Sequence, residues 1–124
     1  MNIGVIGLGL IGGSLALAAK KQITACELFG EDQNSDHQKE ALDLGLIDHT
    51  LGSSNYANMD VIILAIPVDA AIQIALPLLD QMNDNALLID VGSTKSLICN
   101  ALELHPKRNQ FLATHPIAGT EFSG

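Results

Sequence analysis

Short apolar runs alternate with longer stretches of mixed character along this chain, and the two lengths suit strands and helices in turn. Ile3 to Ile6 reads as a first strand and is followed by a glycine-rich turn. The segment from Ser14 to Lys21 is rich in helix formers and ends in cations that suit a helix C-terminus. A second strand lies within Ile23 to Glu31. A polar turn, Asp32-Gln33-Asn34-Ser35, then leads to a helix from about Asp36 to Leu44 that Gly45 terminates. Leu46 to His49 reads as a short strand and Gly52 to Asn55 as a loop. Val61 to Ile66, closed by Pro67, is the most strand-like run and is placed at the centre of the sheet. Asp69 is expected to cap a helix from about Ala70, with Pro77 a kink or the start of a second helical segment. Ala86 to Val91 is a fifth strand, Lys95 to Leu104 a helix, and Phe111 to Thr114 a sixth strand running straight into His115. No repeat or low-complexity tract interrupts the order.

Strands alternating with helices indicate an α/β protein with a mostly parallel sheet. Composition agrees, because 48% of the 124 residues are apolar while aromatic residues are few, so the core is built from Ile, Leu, Val and Ala as in buried parallel sheets. The length suits one domain, residues 1–124. With six Lys and Arg and a formal net charge of −8, nucleic acid and anionic membranes are not expected as partners, and any anionic ligand must be held locally. Cys26 and Cys99 have no metal-ligand or disulfide spacing and are expected to be reduced, buried thiols; no metal site is expected. The start lacks a basic segment followed by an apolar one, and no stretch has the length of a membrane span, so a cytoplasmic protein is expected.

Gly7-Leu8-Gly9-Leu10-Ile11-Gly12 follows an apolar strand and opens a helical stretch, and Asp32 lies twenty residues past Gly12 at the end of the second strand. That context matches the fingerprint of dinucleotide-binding folds. Gly7 permits the tight turn, Gly9 lets the backbone approach a pyrophosphate, and Gly12 allows close helix–strand packing, with the helix N-terminus facing the phosphates. The bland alternative is a glycine-rich turn with no ligand. Asp32 would accept hydrogen bonds from the adenosine ribose hydroxyls and repel a 2′-phosphate. No Lys or Arg occurs in the next six residues, so NAD is expected over NADP. Glu31 is the rival for this role, or else a solvated strand-end carboxylate. The expected architecture is a doubly wound, mostly parallel sheet of about six strands of the Rossmann type, with NAD across the switch point.

Ser93 and His115 follow the fifth and sixth strands. Neighbouring parallel strands lie about 4.8 Å apart, so the two side chains can converge where ligands of open α/β sheets bind. A histidine there can take a proton from a substrate hydroxyl while hydride leaves the same carbon, and the serine can orient the ring or bind the same oxygen. Ser93 as a helix N-cap and His115 as a capping or packing histidine before Pro116 are the alternatives. Lys95 either neutralises an anionic substrate or holds its ammonium in water. His37, His49 and His105 have no ligand spacing between them and read as surface histidines without a role.

The glycine turn, Leu64-Ala65-Ile66-Pro67-Val68, Asp90-Val91-Gly92-Ser93-Thr94-Lys95 and the stretch His115-Pro116-Ile117-Ala118-Gly119-Thr120-Glu121-Phe122-Ser123-Gly124 together resemble the prephenate dehydrogenases, enzymes of tyrosine biosynthesis. The resemblance spans the whole chain. It implies NAD-dependent oxidative decarboxylation of prephenate to 4-hydroxyphenylpyruvate. His115 would contact the substrate's ring hydroxyl, Ser93 would support it, and Thr120 and Glu121 would line the substrate pocket. Leu10, Ile11 and Pro67 join Gly7, Gly9, Gly12 and Asp32 as expected cofactor contacts. Members often carry Lys where this chain has Phe122. They also have a helical C-terminal domain that supplies the dimer interface and cations for the substrate carboxylates. The chain is therefore expected to be the N-terminal part of a longer, homodimeric enzyme acting on a small-molecule substrate, inactive or nearly so by itself. Arogenate in place of prephenate, a β-hydroxyacid dehydrogenase, and a non-catalytic NAD-binding module are the competing readings.

Overall fold

The computed structural model describes residues 1–91 and 95–113, with the side chains of residues 95–97 excepted. Six parallel strands form one sheet: β1 (Asn2–Ile6), β2 (Glu27–Glu31), β3 (His49–Thr50), β4 (Val61–Leu64), β5 (Leu87–Asp90) and β6 (Phe111–Ala113). Their spatial order is β3-β2-β1-β4-β5-β6, so the chain works outward from β1 to one edge, crosses back, and works outward to the other. That is the doubly wound order expected from the sequence. The helices α1 (Leu10–Gln22), α2 (Ser35–Asp43), α3 (Val68–Gln81) and α4 (Lys95–Leu102) connect the strands.

Alternation along the strands sends side chains into two cores. Ile3 and Val5 of β1 join Leu28, Ala16 of α1, Ala41 of α2 and Ile47 on one face. Ile6, with Ile62 and Leu64 of β4 and Leu88 of β5, meets Ala71, Ala75, Leu78 and Leu79 of α3 and Ile98 and Leu102 of α4 on the other. Each fully buried Leu or Ile contributes about 1.5–3 kcal/mol, and this double-sided burial explains the near-continuous apolar strands. β4 sits at the centre, as its composition indicates.

Several boundaries differ from the sequence expectation, each for a local reason. α1 begins at Leu10, inside the glycine motif, because Gly9 occupies its N-cap. α2 starts at Ser35, where the Asn34 side chain accepts the Asp36 N–H at 2.9 Å, and Gly45 follows it in the left-handed conformation with φ +75°. β3 begins only at His49, since Ile47 is drawn into the core and the Asp48 carboxylate accepts the Leu28 N–H at 2.9 Å. Pro67, not Asp69, stands at the N-cap of α3; Asp69 lies in the first turn, where its charge favours the helix dipole. α3 runs unbroken through Pro77, because the buried row Ala71, Ala75, Leu78 and Leu79 holds both halves against the sheet. The last described helix ends at Leu102 rather than Leu104, and Leu104 is almost fully exposed.

The cysteines also depart from expectation. Both are free, but Cys26 is half-buried and Cys99 is exposed. His105 is not a surface histidine: its ring is 8% exposed, with Nε2 2.8 Å from Asp80 Oδ1 and Nδ1 accepting the Lys107 N–H. His49 packs at a tilt of 34° against Phe29 and reaches Glu27 at 2.6 Å.

Candidate functional site

A cleft of about 390 Å³ opens at the carboxyl ends of the strands, where β1 has β2 on one side and β4 on the other. The connection leaving β1 runs into α1, packed on one face of the sheet, and that leaving β4 runs into α3, packed on the other, so the loops diverge and leave a groove. Its floor is Ile6, Gly7 and Gly9; Glu31 and Asp32 form one wall, and Ala65, Ile66 and Pro67 the other.

The glycines of the turn are required for different reasons. Gly7 has φ +99°, and a Cβ there would overlap the Ala65 carbonyl. A Cβ on Gly12 would overlap the Gly7 carbonyl oxygen, so α1 can press against the turn only through a glycine. Gly9 differs from both. Its φ of −75° is open to any residue, and none of the described residues has an atom within 4 Å of where its Cβ would be. The fold does not need glycine at position 9, and that bare backbone faces the cleft. The first-turn N–H groups of α1 lack intrahelical acceptors, and no acidic residue in that turn offsets the helix dipole.

Asp32 is fixed rather than free. Its Oδ2 accepts the Leu8 N–H at 2.6 Å and its Oδ1 the Asn34 N–H at 2.8 Å, and its side chain is 12% exposed. The carboxylate thus ties the end of β2 to the glycine turn. The Gly7 N–H, donating to the Glu31 carbonyl at 2.8 Å, makes a second tie. Glu31, the rival carboxylate, accepts the Tyr56 hydroxyl at 2.6 Å and is not a solvated strand end. Burial first, and then the bond to Glu31, push the Tyr56 phenol well above its usual range.

Of the expected cofactor residues, Gly7, Gly9, Asp32 and Pro67 line the cleft, and Gly12 packs beneath it. Leu10 and Ile11, in the first turn of α1, are exposed and outside the lining. Ser93, His115, Thr120 and Glu121 lie outside the described residues, as does the Lys95 side chain. Sequence reasoning missed His37, whose Nδ1 lies 3.6 Å from Asp32 Oδ1 and which lines the cleft. Its only sequence signal was a place in the first helical turn after the β2 carboxylate. Among the described residues, no group of three or more His, Cys, Asp or Glu could hold a metal ion, and no helix is long and apolar enough to cross a membrane.

A doubly wound parallel sheet with a glycine turn, a fixed acidic residue at the end of β2 and a cleft at the switch point defines a dinucleotide-binding domain of the Rossmann type. Residues 15–124 match the family model for the prephenate dehydrogenase nucleotide-binding domain, and the chain belongs to that family. It is 39% identical over 122 residues to a prephenate dehydrogenase of Bacillus subtilis, a match covering 95% of this chain and 33% of that protein. A crystal structure of prephenate dehydrogenase from Aquifex aeolicus in complex with hydroxyphenyl propionate and NAD+ superposes with a TM-score of 0.84 at 31% identity, covering 98% of this chain and 43% of that one. An arogenate dehydrogenase from Synechocystis gives 0.81 at 30% identity, covering 97% and 42%. The chain therefore spans about a third of the length of the Bacillus relative.

Proposed function

We propose that this chain binds NAD in the switch-point cleft and that the protein containing it oxidises and decarboxylates prephenate to 4-hydroxyphenylpyruvate. The observation that carries the cofactor reading is Gly9: no described residue occupies the space of its Cβ, as suits a backbone pressed against a pyrophosphate. The residues present fit that group. Asp32 keeps lone pairs for ribose hydroxyls beside its two backbone bonds, and the α1 N-terminus would hold the diphosphate.

When bound, the cofactor supplies the hydride acceptor. The remaining work falls to the protein. His115 polarises the ring hydroxyl and takes its proton as the hydride leaves the same carbon; Ser93 orients the imidazole or binds the same oxygen. Thr120 and Glu121 line the substrate pocket. Loss of carbon dioxide then sends the electron pair of the broken carbon–carboxylate bond through the ring to its oxygen, aromatising the ring, and His115 returns its proton to that oxygen, so no further acid or base is needed.

Arogenate is the second substrate to weigh, because an arogenate dehydrogenase is as similar in structure as the prephenate dehydrogenases. Titration calorimetry with NAD and NADP tests the cofactor reading, with tighter NAD binding expected. Formation of reduced cofactor by the intact protein with prephenate and with arogenate, compared as kcat/KM, tests the substrate. Turnover of neither would reject the reaction while leaving the cofactor reading to its own measurement.

A further inference from the structure

Among the described residues that line the cleft, one can carry positive charge. Among its described lining residues there is no Lys or Arg, and the titratable groups are Glu31, Asp32 and His37. His37 stands in the first turn of α2 with its imidazole half exposed, and its Nδ1 is 3.6 Å from Asp32 Oδ1. That separation is an ion-pair distance and too long for a hydrogen bond. We propose that His37 determines cofactor specificity at the adenosine ribose, excluding a 2′-phosphate when neutral and accepting one when protonated. The inference rests on the NAD-binding reading of the cleft.

Asp32 cannot swing aside to admit a second anion, because the Leu8 and Asn34 N–H groups hold both of its oxygens. Its charge therefore stands against a 2′-phosphate for as long as nothing offsets it. Imidazole is the side chain whose charge ordinarily changes between pH 5 and 8. As imidazolium, His37 sets a positive charge beside Asp32 and leaves its other N–H free to donate to a phosphate oxygen. The remaining charges around it are mostly negative. Glu31 stands at the end of β2, and Asp36, Lys39 and Glu40 lie on its own helix. The opposite wall, Ala65, Ile66, Pro67, Ala70 and Ile74, offers no titratable group.

The test is the ratio of the dissociation constants for NADP and NAD, measured by calorimetry on the intact protein at about pH 5.5 and about pH 8. The 2′-phosphate also gains a proton over this range, with a pKa of about 6, so the readout is the difference between wild type and His37→Gln. The ratio is expected to fall on acidification by roughly tenfold more in the wild type than in His37→Gln, as for one unit charge a few ångströms away. His37→Lys, with a permanent cation, should keep the ratio low at both pH values. Parallel pH dependence in wild type and His37→Gln, or an unchanged ratio in His37→Lys, would overturn the proposal. Failure of the wild type to bind either dinucleotide would instead overturn the cofactor reading on which it rests.

Discussion

At the scale of single residues, the glycine turn separates what the fold needs from what a ligand needs. Gly9→Ala adds a methyl group that meets no atom of the described residues, so unfolding free energy should change by less than about 0.5 kcal/mol. NAD affinity should fall tenfold or more, because the methyl occupies the approach to the diphosphate. Gly12→Ala drives a Cβ into the Gly7 carbonyl and should cost on the order of 2–4 kcal/mol through displacement of α1. Denaturation and calorimetry on both variants check the contrast, and equal stability losses would remove it. Tyr56 offers a second residue-scale measurement, since it is the chain's one tyrosine and the chain has no tryptophan. Tyrosinate absorbance in the folded chain should appear only well above pH 10, because burial and Glu31 both oppose ionisation, and Glu31→Gln should lower that threshold. A wild-type transition at the pH of free tyrosine would contradict the Glu31–Tyr56 bond.

Between residues and the whole sheet stand the elements, and here one carboxylate fastens three of them. Asp48, just before β3, accepts the Leu28 N–H of β2 through Oδ2 and the Lys20 ammonium of α1 through Oδ1 at 2.6 Å. The Leu28 bond first, and the Lys20 bond next, hold its carboxyl below the usual aspartate value of 3.8, against the opposing effect of burial. A carboxyl depressed in the folded state stabilises above the unfolded-state value and loses that contribution as pH falls through the folded one. Asp48→Asn should therefore cost about 1 kcal/mol at neutral pH, a figure kept low because the pair is partly exposed. The gap from wild type should narrow below about pH 4. Denaturant titrations at the two pH values check this, and a constant gap would assign the cost to shape rather than charge.

Asp48 also marks where sequence legibility ends. Strands β1, β4 and β5 and the turn at Gly7 were readable because an apolar run or a glycine states its own conformation over a few residues. The Asn34 cap of α2 and the Pro67 cap of α3 were obscured by rival signals close by, Asp36 and Asp69. The bonds Asp48–Leu28, Glu31–Tyr56 and Asp32–Leu8, and the place of His37 over the cleft, depend on how separate elements are rotated against one another. No local pattern carries that rotation.

For the whole molecule, the parallel sheet sets where chemistry can occur. The carboxyl ends of β1, β2 and β4 form the nucleotide cleft, and β5 and β6 end on the same edge, leading toward Ser93 and His115. With His115 as the proposed proton acceptor, one edge would present cofactor and acceptor to a single substrate carbon. This division of labour predicts separable losses in the intact protein. On the proposed mechanism His115→Asn removes proton acceptance and should lower turnover by about 10²–10⁴-fold while leaving NAD affinity nearly unchanged. Asp32→Ala should do the reverse, weakening NAD and relaxing discrimination against NADP, with part of the loss arising from release of the Leu8 N–H and the glycine turn. Asp32→Asn can still accept that N–H, so it should keep more of the turn's order while losing the charge that repels a 2′-phosphate. Steady-state kinetics with NAD and NADP, paired with binding titrations, separate the three. Near-normal turnover in His115→Asn would take that histidine out of the mechanism and return the strand edge to cofactor binding alone.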